Sequence, residues 1–194
     1  MSGSVGDNTA RASGVIAPAG GGGAWTQISS QTASSDATID FTTLSADYRD
    51  FKIIGSNIKI GSGNADVYFR VDAGSGFATD SNYRYAFLNL DSSGNNTNVN
   101  HNTKEYIALC YHSWDYATEY NGAFEVTVYD VHNTAQWKIM HCQYDYWDSS
   151  HEITCGSGVA SYSGAVTAIT GLRVYPGAND FSSGEFTLYG RKIT

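Results

Sequence analysis

Residues 169–193 read Ile-Thr-Gly-Leu-Arg-Val-Tyr-Pro-Gly-Ala-Asn-Asp-Phe-Ser-Ser-Gly-Glu-Phe-Thr-Leu-Tyr-Gly-Arg-Lys-Ile. Two alternating stretches flank a Pro176-Gly177 turn and a polar loop. In the first, Leu172 and Val174 point one way, Arg173 and Tyr175 the other. In the second, Phe186 and Leu188 oppose Thr187 and Tyr189. Successive side chains on a strand point to opposite faces, so this alternation predicts half-buried strands. The pair is expected to form the closing hairpin of a compact β-sandwich.

The same pattern runs back through the chain. Ala24–Ser30 and Ala37–Thr42 are expected to form a hairpin across Ser34-Ser35-Asp36. Asp50–Ile60 is apolar at Phe51, Ile53, Ile58 and Ile60, with Gly55 near its middle suggesting a bulge or bend. Asp66–Asp72 places Val67, Phe69 and Val71 inward, with Tyr68 and Arg70 outward. Asn82–Leu90, Lys104–His112, Gly122–Asp130, Gln136–Tyr146, Glu152–Ala160, Val166–Tyr175 and Ser183–Ile193 complete about eleven segments. Clusters of Gly, Ser, Asn and Asp separate many of them, and such residues tolerate left-handed backbone or bond their own main chain. Leu44–Arg49 is long enough for one helical turn. Short, regularly punctuated strands predict an all-β fold, an antiparallel two-sheet sandwich of jelly-roll type. The domain is expected over 24–194. Residues 1–23 are expected to form an N-terminal arm that ends in the glycine hinge Gly20–Gly23, with Arg11, Val15 and Ile16 as its docking residues.

Composition agrees. Among 194 residues there are 21 Gly, 14 Tyr, 8 Phe, 4 Trp and only 2 Pro, which favours strands and turns over helices. The net charge is −8, so DNA binding would gain nothing from released counterions and no nucleic-acid partner is expected. No apolar run approaches the roughly 20 residues that span a bilayer, so no membrane insertion is expected. Met1–Gly23 lacks the basic start and apolar run of a secretory signal, and synthesis in the cytoplasm is the expectation. There Cys110, Cys142 and Cys155 remain thiols.

No catalytic motif stands out, and neither enzymatic activity nor a cofactor is expected. His141 and Cys142 are adjacent on a strand, so they face opposite ways and make a poor dyad. His101, His112, His132, His141 and His151 lack metal-ligand spacing, so no metal is expected. The loop from Asp72 to Gly76, with Asp80 and Asn82, is rich in oxygen but lacks the alternating acids of a calcium loop. One cluster does stand out. Trp114, Tyr116 and Tyr120, with Tyr146 and Trp147, combine flat rings with carboxylates and amides at expected loop positions. Such rings suit subunit packing, core packing, or contact with a glycan or receptor.

Gly6–Ile16, Trp25–Phe41 and Ser183–Gly190 resemble the arm, first hairpin and closing strand of small β-sandwich structural proteins of tailed bacteriophages, especially aquatic ones. The stretch from Asn95 to Ser150 departs from that resemblance. The resemblance implies a virion component without catalysis: a capsid decoration or cement protein, or alternatively a fibre or receptor-binding protein with a lectin-like sandwich. It implies other virion proteins as partners, such as the major capsid protein or tail and fibre proteins, a homotrimer, and a virion location after cytoplasmic synthesis. A host surface glycan is a further candidate partner.

Overall fold

A computed structural model describes residues 23–117 and 119–192. The arm residues Arg11, Val15 and Ile16 lie outside the described residues. The described chain forms twelve strands and no helix: β1 Trp25–Ala33, β2 Ile39–Thr42, β3 Asp50–Ile60, β4 Val67–Asp72, β5 Tyr83–Asp91, β6 Asn96–Lys104, β7 Ile107–Ala108, β8 Gly122–Val128, β9 Lys138–Trp147, β10 Ile153–Tyr162, β11 Gly171–Pro176 and β12 Phe181–Arg191. They make an eight-stranded sheet, in the order β1-β12-β3-β8-β9-β10-β5-β6, and a four-stranded sheet, β2-β11-β4-β7. Every pairing is antiparallel. The all-β sandwich expected from the sequence is the fold.

The pairing has a nested logic. β1 pairs with β12, β2 with β11, β3 with β8 and β4 with β7. The β1·β12 and β3·β8 pairs lie in the large sheet, the other two in the small one. The remaining strands fill the gaps in this nest. β5 and β6 fall between β4 and β7 in sequence, and β9 and β10 between β8 and β11. Together they extend the large sheet beyond β8.

Both expected hairpins are corrected by this arrangement. β1 and β2 belong to different sheets, and so do β11 and β12. The turns at 34–38 and 177–180 carry the chain from one layer to the other. Alternation shows that each stretch has a buried face, but two facing layers satisfy that pattern as well as two neighbouring strands do. The segment at 44–49 is a turn closed by Tyr48 N–H donating to Ser45 O at 3.2 Å, with no helix. In the expected strand Lys104–His112, Lys104 ends β6 and only Ile107 and Ala108 form a further strand, the short β7. β6 fills the stretch between Leu90 and Lys104, where no strand was expected.

The core lies between the sheets. From the large sheet come Phe51, Ile53, Phe124, Val126, Met140, Phe186 and Leu188; from the small sheet Phe41, Val67, Phe69, Val71, Leu172 and Val174, all buried. Under the extension the filling is aromatic. Tyr83, Tyr85, Phe87, Tyr144, Tyr146 and Tyr162 all point inward. Rings this large need small neighbours. A Cβ at Gly156 would strike the Tyr144 ring, and one at Gly122 the Trp114 ring. Gly55 marks the expected irregularity in β3, where the register with β8 shifts between Gly55 and Ile58.

Candidate functional site

Two regions qualify: the aromatic cluster singled out in the sequence, and the outer surface of the sheet extension. The structure divides the first in two. Trp114 and Tyr146 are buried, 2% and 3% exposed. Their rings stack with centroids 4.9 Å apart and 6° between planes. Trp114 bridges to Ala65 and Asp148, and its indole N–H donates to Leu109 O at 3.1 Å. The Tyr146 hydroxyl donates to His112 O at 2.7 Å and accepts from the Tyr111 and His112 amides. Burial pushes the Tyr146 phenol well above its ordinary range. These two rings close the core and cannot face a ligand.

Trp147, one residue on, points to the opposite face of β9 and is half-buried. Tyr120 stacks on it at 4.7 Å and 12°. Asp115 holds the loop beneath: its carboxylate pairs with His151 Nδ1 at 2.9 Å and accepts from Ala117 N at 2.9 Å. Asp148, fully buried at the foot of the turn after β9, accepts from Ser150 N, Glu152 N and Thr154 Oγ1. Trp147 borders a recess of about 230 Å³ with Asn57, Asn121, Asp145 and Ile153. Tyr116 stands apart on the same loop, 53% exposed. Of the five rings, the sequence thus names two of the core and three that meet solvent.

The other candidates resolve quietly. Asp72 turns its carboxylate onto its own loop, accepting from Gly74 N at 2.7 Å and Gly76 N at 3.1 Å. Asp80 accepts from Asn82 and Tyr162. Cys110 and Cys142 are buried free thiols, raised far above the ordinary range by burial, while Cys155 is exposed and free. Among the described residues, no group of three or more His, Cys, Asp or Glu side chains converges as metal ligands do.

The feature that sequence reasoning missed is the outer face of β9, β10 and β5. The cross-strand register lays it out in rows: Arg84–Ser161–Ile139, Ala86–Val159–His141, Leu88–Ser157–Gln143 and Leu90–Cys155–Asp145, with Ile153 beside Trp147 beyond. Leu88, Leu90, Ile139, Ile153 and Val159 are each 49–56% exposed, as is Trp137 at 56% just before β9. Six large side chains about half exposed leave on the order of 500 Å² of apolar surface, as large as the biggest patch on an ordinary monomer. The other half of the sheet is different in kind. There Lys52 pairs with Glu125 at 2.7 Å, and Lys52 and Arg191 both lie over the Trp25 ring. The signal for the face was present in β5. Tyr83, Tyr85 and Phe87 share one phase, so Leu88 and Leu90 must take the other, and Asn89 turns inward to meet Tyr144.

Comparison with protein-family models, with curated proteins and with solved structures found no match.

Proposed function

We propose that the protein is a non-enzymatic structural component of a bacteriophage virion, a decoration or cement protein whose extended sheet packs against neighbouring protein. The observation that carries this is the apolar band on the outer face of β5, β9 and β10. A soluble domain gains nothing from holding so much apolar surface in water, and burying it contributes about 25 cal/mol for each Å². The resemblance of both chain ends to phage sandwich proteins supports the virion as the setting, with Met1–Gly23 as the anchoring arm. The nested pairs β1·β12, β2·β11, β3·β8 and β4·β7 support a jelly-roll reading, with β9-β10-β5-β6 as an added flange. On this reading the jelly roll supplies the stable body and the flange supplies the contact.

Protein identification on density-purified particles of the parent phage tests it. The chain is expected in the particles in many copies. A chain confined to the soluble fraction of the lysate contradicts the proposal.

The Trp147–Tyr120 stack favours a second reading, contact with a host glycan. A partly exposed ring beside Asn57, Asn121 and Asp145 offers a flat apolar surface with polar groups to orient a sugar. Glycan-array binding that disappears in Trp147→Ala would support it. Absence of binding by the native chain would remove it.

A further inference from the structure

We infer that the apolar face of the extension is covered by a second copy of this chain, related by a two-fold axis that runs across the strands at the Leu88–Ser157–Gln143 row. This rests on the assembly reading above and names its partner.

Area is the first support. A stable interface takes about 800 Å² from each partner, with an apolar centre and a polar rim. The band supplies the centre. Asn96, Asn98 and Asn100, the outward residues of β6 beside Leu90, Leu88 and Ala86, supply one rim. On the other side Glu125 of β8, beside Gln143, supplies a charged rim position.

Self-complementarity is the second. Two sheets pack face to face with their strands nearly aligned, and a two-fold contact must match one surface to itself. A two-fold axis parallel to the strands would set Leu90 over the second copy's Asp145 and Leu88 over its Gln143. That buries a carboxylate against a leucine, a costly arrangement. An axis across the strands keeps each strand over its own counterpart and reverses the rows. Leu88 then meets the second copy's Leu88, Ala86 its Leu90, Val159 its Cys155 and Ile139 its Trp147. His141 meets its Asp145, so an imidazole faces a carboxylate at one side of an apolar centre. Ile153 meets the second copy's Ser161, so each apolar residue of the band within β5, β9 and β10 finds an apolar or neutral counterpart.

The full-length chain in sedimentation equilibrium tests this, with three positions on that outer face altered: Leu88 and Asp145, which are exposed, and His141, which is half-buried. The native chain is expected at twice its 20.9 kDa mass, and Leu88→Asp at the single mass. His141→Asp and Asp145→Lys should each weaken association about tenfold, and the double variant should recover to within about threefold of native, because a complementary pair again faces across the axis with its places exchanged. Circular dichroism establishes that each variant keeps the native fold. A native chain that sediments singly or as three copies, an unchanged Leu88→Asp, or additive losses in the double variant would overturn the inference. These results are independent of whether the chain is found on particles, so the two readings fail separately.

Discussion

Trp114 and Tyr146 lie ring on ring at 4.9 Å, almost parallel, at the end of the core beneath β8. Their neighbours in sequence, Tyr116 and Trp147, reach solvent. Each of the two short aromatic stretches therefore serves two purposes, one ring in the core and one at the surface.

Trp114→Ala should cost about 3–5 kcal/mol of stability, the usual range for truncating a large buried ring. Trp147→Ala, at a ring partly open to solvent, should cost clearly less, about 1 kcal/mol. Urea unfolding of both variants checks the difference. Equal losses would contradict the division of the cluster.

Tyr144 and Asn89 form a polar side-chain pair inside the aromatic core. The phenol donates to Asn89 Oδ1 at 2.5 Å, and Asn89 Nδ2 donates to Thr97 O at 3.3 Å. Removing only the hydroxyl, in Tyr144→Phe, leaves a buried amide oxygen without its donor and should cost about 1–3 kcal/mol. Asn89→Leu together with Tyr144→Phe should cost less than the sum of the single changes, because the second change removes the stranded group. A strictly additive cycle would show that the pair is not coupled.

Asp50 predicts the acid limb of stability. Burial alone would raise its carboxyl, but the Asp130 amide at 2.8 Å, Arg191 and Arg49 together hold it below its ordinary value of 3.8. A carboxyl lowered by folding contributes stability that is complete above the unfolded-state value and is lost as pH falls through the folded one. Native stability should therefore decline below about pH 4. Asp50→Asn should be less stable at pH 7 and show a shallower acid decline. Unfolding curves between pH 7 and pH 2 measure both, and parallel curves for the two proteins would contradict the assignment.

Much of the strand inventory was legible because one buried face imposes alternation, as in Val67-Tyr-Phe-Arg-Val71. Strand partnership was not legible. Leu172 and Phe186 read the same whether their strands are neighbours or lie in opposite layers, and the structure puts them in opposite layers. β6 was hidden by its composition: Asn-Thr-Asn-Val-Asn-His-Asn-Thr-Lys has poor strand propensity, and only pairing with β5 at the sheet edge makes it a strand. Trp114 was legible as an aromatic of consequence but not as a buried one, since its burial depends on the chain at 109–117 crossing under β8 and β9 rather than on any local pattern. The outer face escaped notice because its residues come from three strands, each contributing only one or two.

Cys155 sits within that face, between Leu90 and Asp145 in the sheet, and gives a direct reading of whether it is covered. Cys110 and Cys142 are buried and serve as internal standards that react only on unfolding. The decisive measurement is the rate of Cys155 alkylation as a function of protein concentration. The account predicts rapid reaction in dilute solution and about tenfold slower reaction at several hundred micromolar, as association shields the thiol. A rate that stays fast and constant across that range would mean the face remains open to water, contrary to its proposed role.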